Sequence, residues 1–78
     1  MGITKLVMTP AQCRAARGLL DWTQGDLARS SSVSDVTIRN FERGKTALQP
    51  ASLRVIQLAL EAAGVEFING TGVKLTRS

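Results

Sequence analysis

Apolar positions recur at helical spacing four times along the chain, and then alternate. Cys13, Ala16 and Leu20 lie three and four residues apart and predict the inner face of a first helix. Thr9 stands before it as a cap, and Pro10 takes the first helical position, where a missing N–H costs nothing. This helix runs to about Leu20. Thr23 caps a second helix over about Gln24 to Ser30, with Asp26 three residues on to reach back to the cap amide. Leu27 and Ala28 face inward. Ser31 and Ser32 make a turn, Val33 plugs it, and Ser34 caps a third helix from about Asp35 to Arg43 with Ile38 and Phe41 inward. Gly44 ends that helix, because glycine takes the left-handed cap conformation without strain. Residues 44 to 49 form a loop. Pro50 starts a fourth helix that ends at Gly64, with Leu53, Ile56 and Leu60 as its main stripe. Val55, Leu58 and Ala62 form a second stripe on another face. From Val65 the pattern changes to period two around Asn69-Gly70, a pair that favours a tight hairpin turn. The expected architecture is all-α, a four-helix bundle over 9–64 with a small C-terminal β-hairpin over 65–78. Residues 1–8, with Ile3, Leu6 and Val7, are a lead-in that reads as a strand or an arm.

Seventy-eight residues suffice for one domain and leave no room for a separate effector or catalytic domain. A domain this small buries only roughly 60% of its unfolded surface, so dimerisation helps it. With 44% hydrophobic and 21% charged residues, the composition is that of an ordinary globular protein. No apolar run approaches ~18 residues, which argues against a membrane span. The N-terminus lacks the pattern of a signal peptide, so the expected compartment is the cytoplasm. The lone Cys13 has no partner for an internal disulfide and shares a stripe with Ala16 and Leu20, so it reads as a small core residue. Without His or Tyr, no metal, no cofactor and no enzymatic acid–base chemistry is expected. The formal net charge of +4 instead suggests a polyanionic partner. Arg39, Arg43, Lys45 and Arg54 cluster in one stretch, whereas Glu61 and Glu66 lie beyond it.

The stretch from Thr23 to Lys45 has the requirements of a helix-turn-helix. Ala28 is small where the third helix crosses close, and Ser32 sits where the turn needs an unusual backbone. Ile38 and Phe41 lock the third helix down. Its outward positions are then Asp35, Val36, Thr37, Arg39 and Asn40. Arg can contact guanine and Asn adenine through two bonds each, while Thr and Val can touch thymine methyls. Asp35 is repelled by phosphate; it accepts from cytosine or pairs with Arg39 one turn on. Gln24 aims its side chain and free amides at phosphate, as does the cap at Ser34. Arg43, Lys45 and Thr46 read as phosphate clamps beside the third helix. Trp22, just before a cap, reads as a hydrophobic staple. Gly70 and Gly72 read as turn residues rather than a phosphate loop, since no helix follows them.

These residues resemble the Xre family of helix-turn-helix regulators, the group of the lambda-type repressors and Cro. The matching positions are Thr-Gln-x-x-Leu-Ala at 23–28, Val-Ser at 33–34 and Ile-Arg-Asn-Phe-Glu-Arg-Gly-Lys at 38–45. The resemblance spans roughly residues 8 to 65 and implies a lambda-repressor-like bundle that binds double-stranded DNA. Two positions depart from the family: Ser32 stands where Gly is usual, and Ser31 where an apolar residue is usual. Both are expected to weaken the turn locally. The resemblance also pairs Arg17 with Glu42 across the first and third helices. Each sits among apolar positions and needs a partner, so the pair is structural. The tail resembles the endings of short stand-alone Xre regulators, which often build a dimer. Val55, Leu58, Val65, Phe67, Val73 and Leu75 are therefore the expected dimerisation residues, and removal of 65–78 is expected to leave a monomer. The expected function is a sequence-specific transcriptional regulator, a homodimer on a palindromic operator that controls a neighbouring operon or its own. The alternative is a protein-binding adaptor of the same fold, such as an antitoxin or an antiactivator.

Overall fold

Helix α1 (Pro10–Leu20), α2 (Gln24–Ser31), α3 (Asp35–Glu42) and α4 (Pro50–Ala62) follow one another, and strands β1 (Val65–Ile68) and β2 (Gly72–Leu75) close the chain. The computed structural model describes residues 8–68 and 72–76. Residues 1–7 of the expected lead-in over 1–8 and the turn at Asn69-Gly70 lie outside the described residues, whereas Met8 is buried in the core.

Each of the first three helices begins on a hydroxyl. Thr9 Oγ1 accepts from the Gln12 amide at 3.1 Å while the Thr9 amide donates to Gln12 Oε1 at 3.0 Å. Thr23 and Asp26 repeat this reciprocal pair at α2, with bonds of 2.9 and 3.0 Å. Such a cap is worth ~1 kcal/mol by satisfying donors that the helix cannot. The corner after α1 turns through Asp21 in the left-handed region (φ 61), with Trp22 N–H donating back to Arg17 C=O at 2.9 Å. Trp22 packs against the core from there.

Of the two serines expected to weaken the turn between α2 and α3, Ser31 is accommodated without an unsatisfied polar group. Ser31 belongs to α2 rather than to the turn and is buried. Its hydroxyl donates to Leu27 C=O at 2.8 Å and accepts from Val33 N–H at 3.3 Å, so the polar group in an apolar slot is satisfied. Ser32 alone takes the left-handed conformation (φ 63), its N–H bonded to Ala28 C=O at 2.8 Å. A residue with a Cβ carries local strain in that conformation, so the weakening expected at Ser32 has its physical basis there. α3 ends one residue early, at Glu42, with Arg43 as its cap and Gly44 at φ 75. α4 likewise stops at Ala62, before Gly64.

Met8, Cys13, Ala16, Leu27, Ile38, Phe41, Ile56, Leu60 and Val65 form one buried core. Full burial of each larger aliphatic side chain contributes about 1.5–3 kcal/mol. The hairpin belongs to this core. β1 and β2 are antiparallel, with Val65 opposite Leu75 and Phe67 opposite Val73, which puts these four on one face. Val65 is 3% exposed, and Phe67 and Val73 pack against the core. Gln12, missed by the apolar pattern because it is polar, is buried on α1 and donates through Nε2 to Gly72 C=O at 3.1 Å. Thr76 donates to Gly64 C=O through its amide at 2.6 Å and its hydroxyl at 2.9 Å. Val65 is thus not free to form the outer dimer face expected of it, and Phe67 and Val73, half-buried, are turned partly toward the core. The hairpin packs on α1 and α4 and covers that side of them.

Candidate nucleic-acid interface

α3 is held on three sides by residues that alternate with its outward ones. Ile38 is fully buried, Phe41 nearly so, and Glu42 is 2% exposed. Ser34 caps the helix, accepting from Thr37 N–H at 3.1 Å. Apolar positions 38 and 41 and a satisfied charge at 42 leave the helix one way to sit. The opposite face is then turned to solvent.

On that face Asp35, Val36 and Arg39 are exposed, and Thr37 and Asn40 are half-buried. Arg43, Lys45 and Thr46 follow, all exposed, so positive charge gathers at the end of α3 and in the loop beyond it. Lys45 is tethered by its N–H to Asn40 C=O at 2.9 Å, which fixes the backbone from which its side chain reaches. Two expectations change. Asp35 and Arg39 do not pair: among the described residues the ion pairs are Arg17–Glu42, Arg29–Asp26 and Lys74–Glu66. Both side chains lie in water, where such a pair gains little against the entropy of holding it. The Ser34 hydroxyl, expected at phosphate, is spent on the helix: it also donates to Thr37 Oγ1 at 2.9 Å. A phosphate contact through that hydroxyl needs the Thr37 bond broken.

Beneath α3 lies a buried carboxylate with every lone pair used. Arg17 donates twice to Glu42, Nη2 to Oε1 at 2.7 Å and Nε to Oε2 at 2.8 Å. Gln24 Nε2 donates to Oε1 at 3.0 Å, and the Cys13 thiol donates to Oε2 at 3.0 Å. Arg14 donates to the Glu42 backbone carbonyl at the C-terminal end of α3, and Arg17 Nη1 donates to Trp22 C=O at 3.0 Å. Burial alone raises the Glu42 pKa, but the bonds from Arg17, Gln24 and Cys13 together outweigh it and hold the carboxyl below its ordinary value. Cys13 is pushed the other way: burial first, then its bond to Glu42, raise the thiol well above its ordinary range. It is therefore a neutral donor and not a nucleophile.

Two of these roles were not legible in the sequence. Cys13 sits where a small core residue was expected and adds a hydrogen bond to that packing. Gln24 was expected to face phosphate with its side chain; one of its two amide hydrogens is already committed to Glu42, and the other remains. No local spacing signals a bond between positions eighteen residues apart in the chain.

Among the described residues, no group of three or more His, Cys, Asp and Glu is placed to hold a metal ion. No described helix is long and apolar enough to cross a membrane. The arrangement offers instead a short locked helix with a mixed polar face and a cationic border, of a size that enters a DNA major groove. No curated protein matches the chain closely enough to add a relative. A protein-family model described as helix-turn-helix matches residues 14–67, more than half of the chain and all of α2, α3 and α4. The chain belongs to that family and is a DNA-binding regulator of the Xre, lambda Cro-like type.

Proposed function

We propose that the chain is a sequence-specific transcriptional regulator that reads base edges with α3 and works as a homodimer. The observation that carries this reading is the contrast between the two faces of α3. Its inner residues are locked, and its outer face presents Val36, Thr37, Arg39 and Asn40, which between them suit thymine, guanine and adenine. Asp35 borders that face and suits cytosine. Gln24, Arg43, Lys45 and Thr46 hold phosphate on either side of the groove, which sets register without reading sequence. The domain works where the chromosome lies, in the cytoplasm.

One such helix reads few base pairs. Two copies on a palindrome, with centres about 34–36 Å apart, reach useful specificity. Such a protein controls a neighbouring operon or its own. Of the residues expected at the dimer contact, those of α4 suit it best: Val55 is 43% and Leu58 49% exposed. Leu75 on β2, also among the residues expected at the dimer face, is exposed, and Leu19 and Ile68 add exposed apolar surface that the sequence pattern did not single out. Removal of 65–78 takes Val65 out of the core and is expected to unfold the domain rather than release a folded monomer. Leu58→Lys is the cleaner change. The full chain is expected to show twice its chain mass in solution at micromolar concentration, and the variant the single mass. The variant also loses more affinity for the operator than for random DNA. A monomeric full chain, or a variant that stays dimeric, places the contact elsewhere.

Selection of bound sequences from random DNA tests the main reading: a palindromic motif supports it, and recovery of no motif from salt-sensitive binding overturns it. Lys45→Ala tests the clamp. It is expected to weaken all sequences about equally and to flatten the slope of log affinity against log salt by about one unit. An unchanged slope removes Lys45 from the phosphate set.

A further inference from the structure

The Glu42 carboxylate joins the interior to the edge of the DNA-facing surface. Each oxygen carries one bond from the Arg17 fork of α1 and one from a second side chain: Gln24 of α2 at Oε1, Cys13 of α1 at Oε2. An ionised carboxylate has about four lone-pair sites, and all are filled. Gln24 is half-buried at the first position of α2. A free glutamine amide turns its oxygen or its nitrogen outward with little preference, and only the nitrogen suits a phosphate. The bond to Oε1 removes that choice, since it fixes the nitrogen end and leaves one N–H unspent.

We propose that Glu42, anchored by Arg17 and Cys13, is a positioning residue for Gln24: it orders the amide before DNA arrives, so that α2 meets a backbone phosphate with a prepared donor. Cys13 matters because the Arg17 fork is carried on a long side chain that remains 18% exposed, whereas the thiol is fully buried on a short one. The fork sets the plane of the carboxylate, and the thiol fixes that plane to the backbone of α1. Ordering the amide at folding rather than at binding spares the entropy of immobilising it in the complex, which corresponds to roughly two- to tenfold in affinity. This rests on the reading of Gln24 as a phosphate contact.

The test is a double-mutant cycle on a random-sequence DNA duplex at fixed low salt, well below the melting temperature of each variant. A phosphate contact acts on every sequence, so the operator need not be known. Gln24→Ala is expected to weaken binding. Glu42→Asp keeps the charge for Arg17 but draws the carboxylate back from Gln24, and Cys13→Ala removes the thiol. Each is expected to weaken binding about two- to tenfold, and to cost nothing further in the Gln24→Ala background. Cys13→Ser, which keeps a donor, restores affinity. If Glu42→Asp and Cys13→Ala act equally in both backgrounds, the coupling is overturned while Gln24 stays a phosphate contact. If Gln24→Ala leaves binding unchanged, Gln24 does not touch phosphate and the inference is overturned with it; the reading of α3 is judged separately by its own variants. A measurement on the unaltered free protein needs no variant to fold: nitrogen-15 relaxation of the side-chain amides. The Gln24 amide is expected to be ordered, and mobility equal to that of the exposed Gln49 overturns the proposal.

Discussion

Glu42→Ala is expected to lower the melting temperature by on the order of 15 °C. The change strips four hydrogen bonds from one site and leaves the Arg17 guanidinium without its partner. Removing one member of a buried pair costs ~3–5 kcal/mol, because the remaining charge stays desolvated. Arg17 retains some access to water, so the lower end applies. In a domain of this size each kcal/mol shifts the melt by roughly 4–8 °C. Asp35→Ala is the control: it is exposed and gives up only the helix-dipole benefit of an acid in the first turn, about 0.3–1 kcal/mol. Equal melting temperatures for the two variants mean that Glu42 is not the keystone its bonds indicate. The same carboxylate predicts a pH dependence. Its folded pKa lies below the unfolded one, so its stabilisation is complete above the ordinary carboxylate range near 4. It is lost as pH falls through the lower folded value, where folding must give up the ionised form. The wild-type melt therefore drops in acid, and Glu42→Ala shows a smaller drop over the same window.

Arg39→Ala and Asn40→Ala are each expected to cost roughly 1–3 kcal/mol at the selected operator and to relax preference at one base position. Both side chains stand on the outward face of α3, and neither is bonded to another side chain among the described residues. Neither is needed for the core, so the melts of these variants stay close to wild type. Binding to random DNA falls less for Asn40→Ala than for Arg39→Ala, since only arginine also contributes charge. Wild-type affinity and an unchanged selected motif for both variants would remove α3 as the reader. Loss of affinity with an intact motif would make the two residues backbone contacts instead.

The helices were legible because their signals are local. A hydroxyl before an apolar run, a proline in the first turn and a glycine after the last act within four residues, and they set α1 to α4 to within one or two residues of their ends. The locked side of α3 was legible for the same reason, since Ile38 and Phe41 must face one way. The strands of the hairpin were legible from period two, which says which residues share a face but not what that face meets. Val65, Phe67 and Val73 were read as an outer surface, and only the packing of β1 and β2 on α1 and α4 turned them inward. Periodicity is blind to this, because an apolar face gains as much from its own chain as from a second copy. Beyond the Arg17–Glu42 pair, the polar interior was the other part that could not be read along the chain. Gln12 reaches Gly72 across sixty positions and Cys13 reaches Glu42 across twenty-nine. Such bonds form between groups that tertiary packing has already brought together and deprived of water, so their partners are chosen by the fold and leave no spacing along the chain to read.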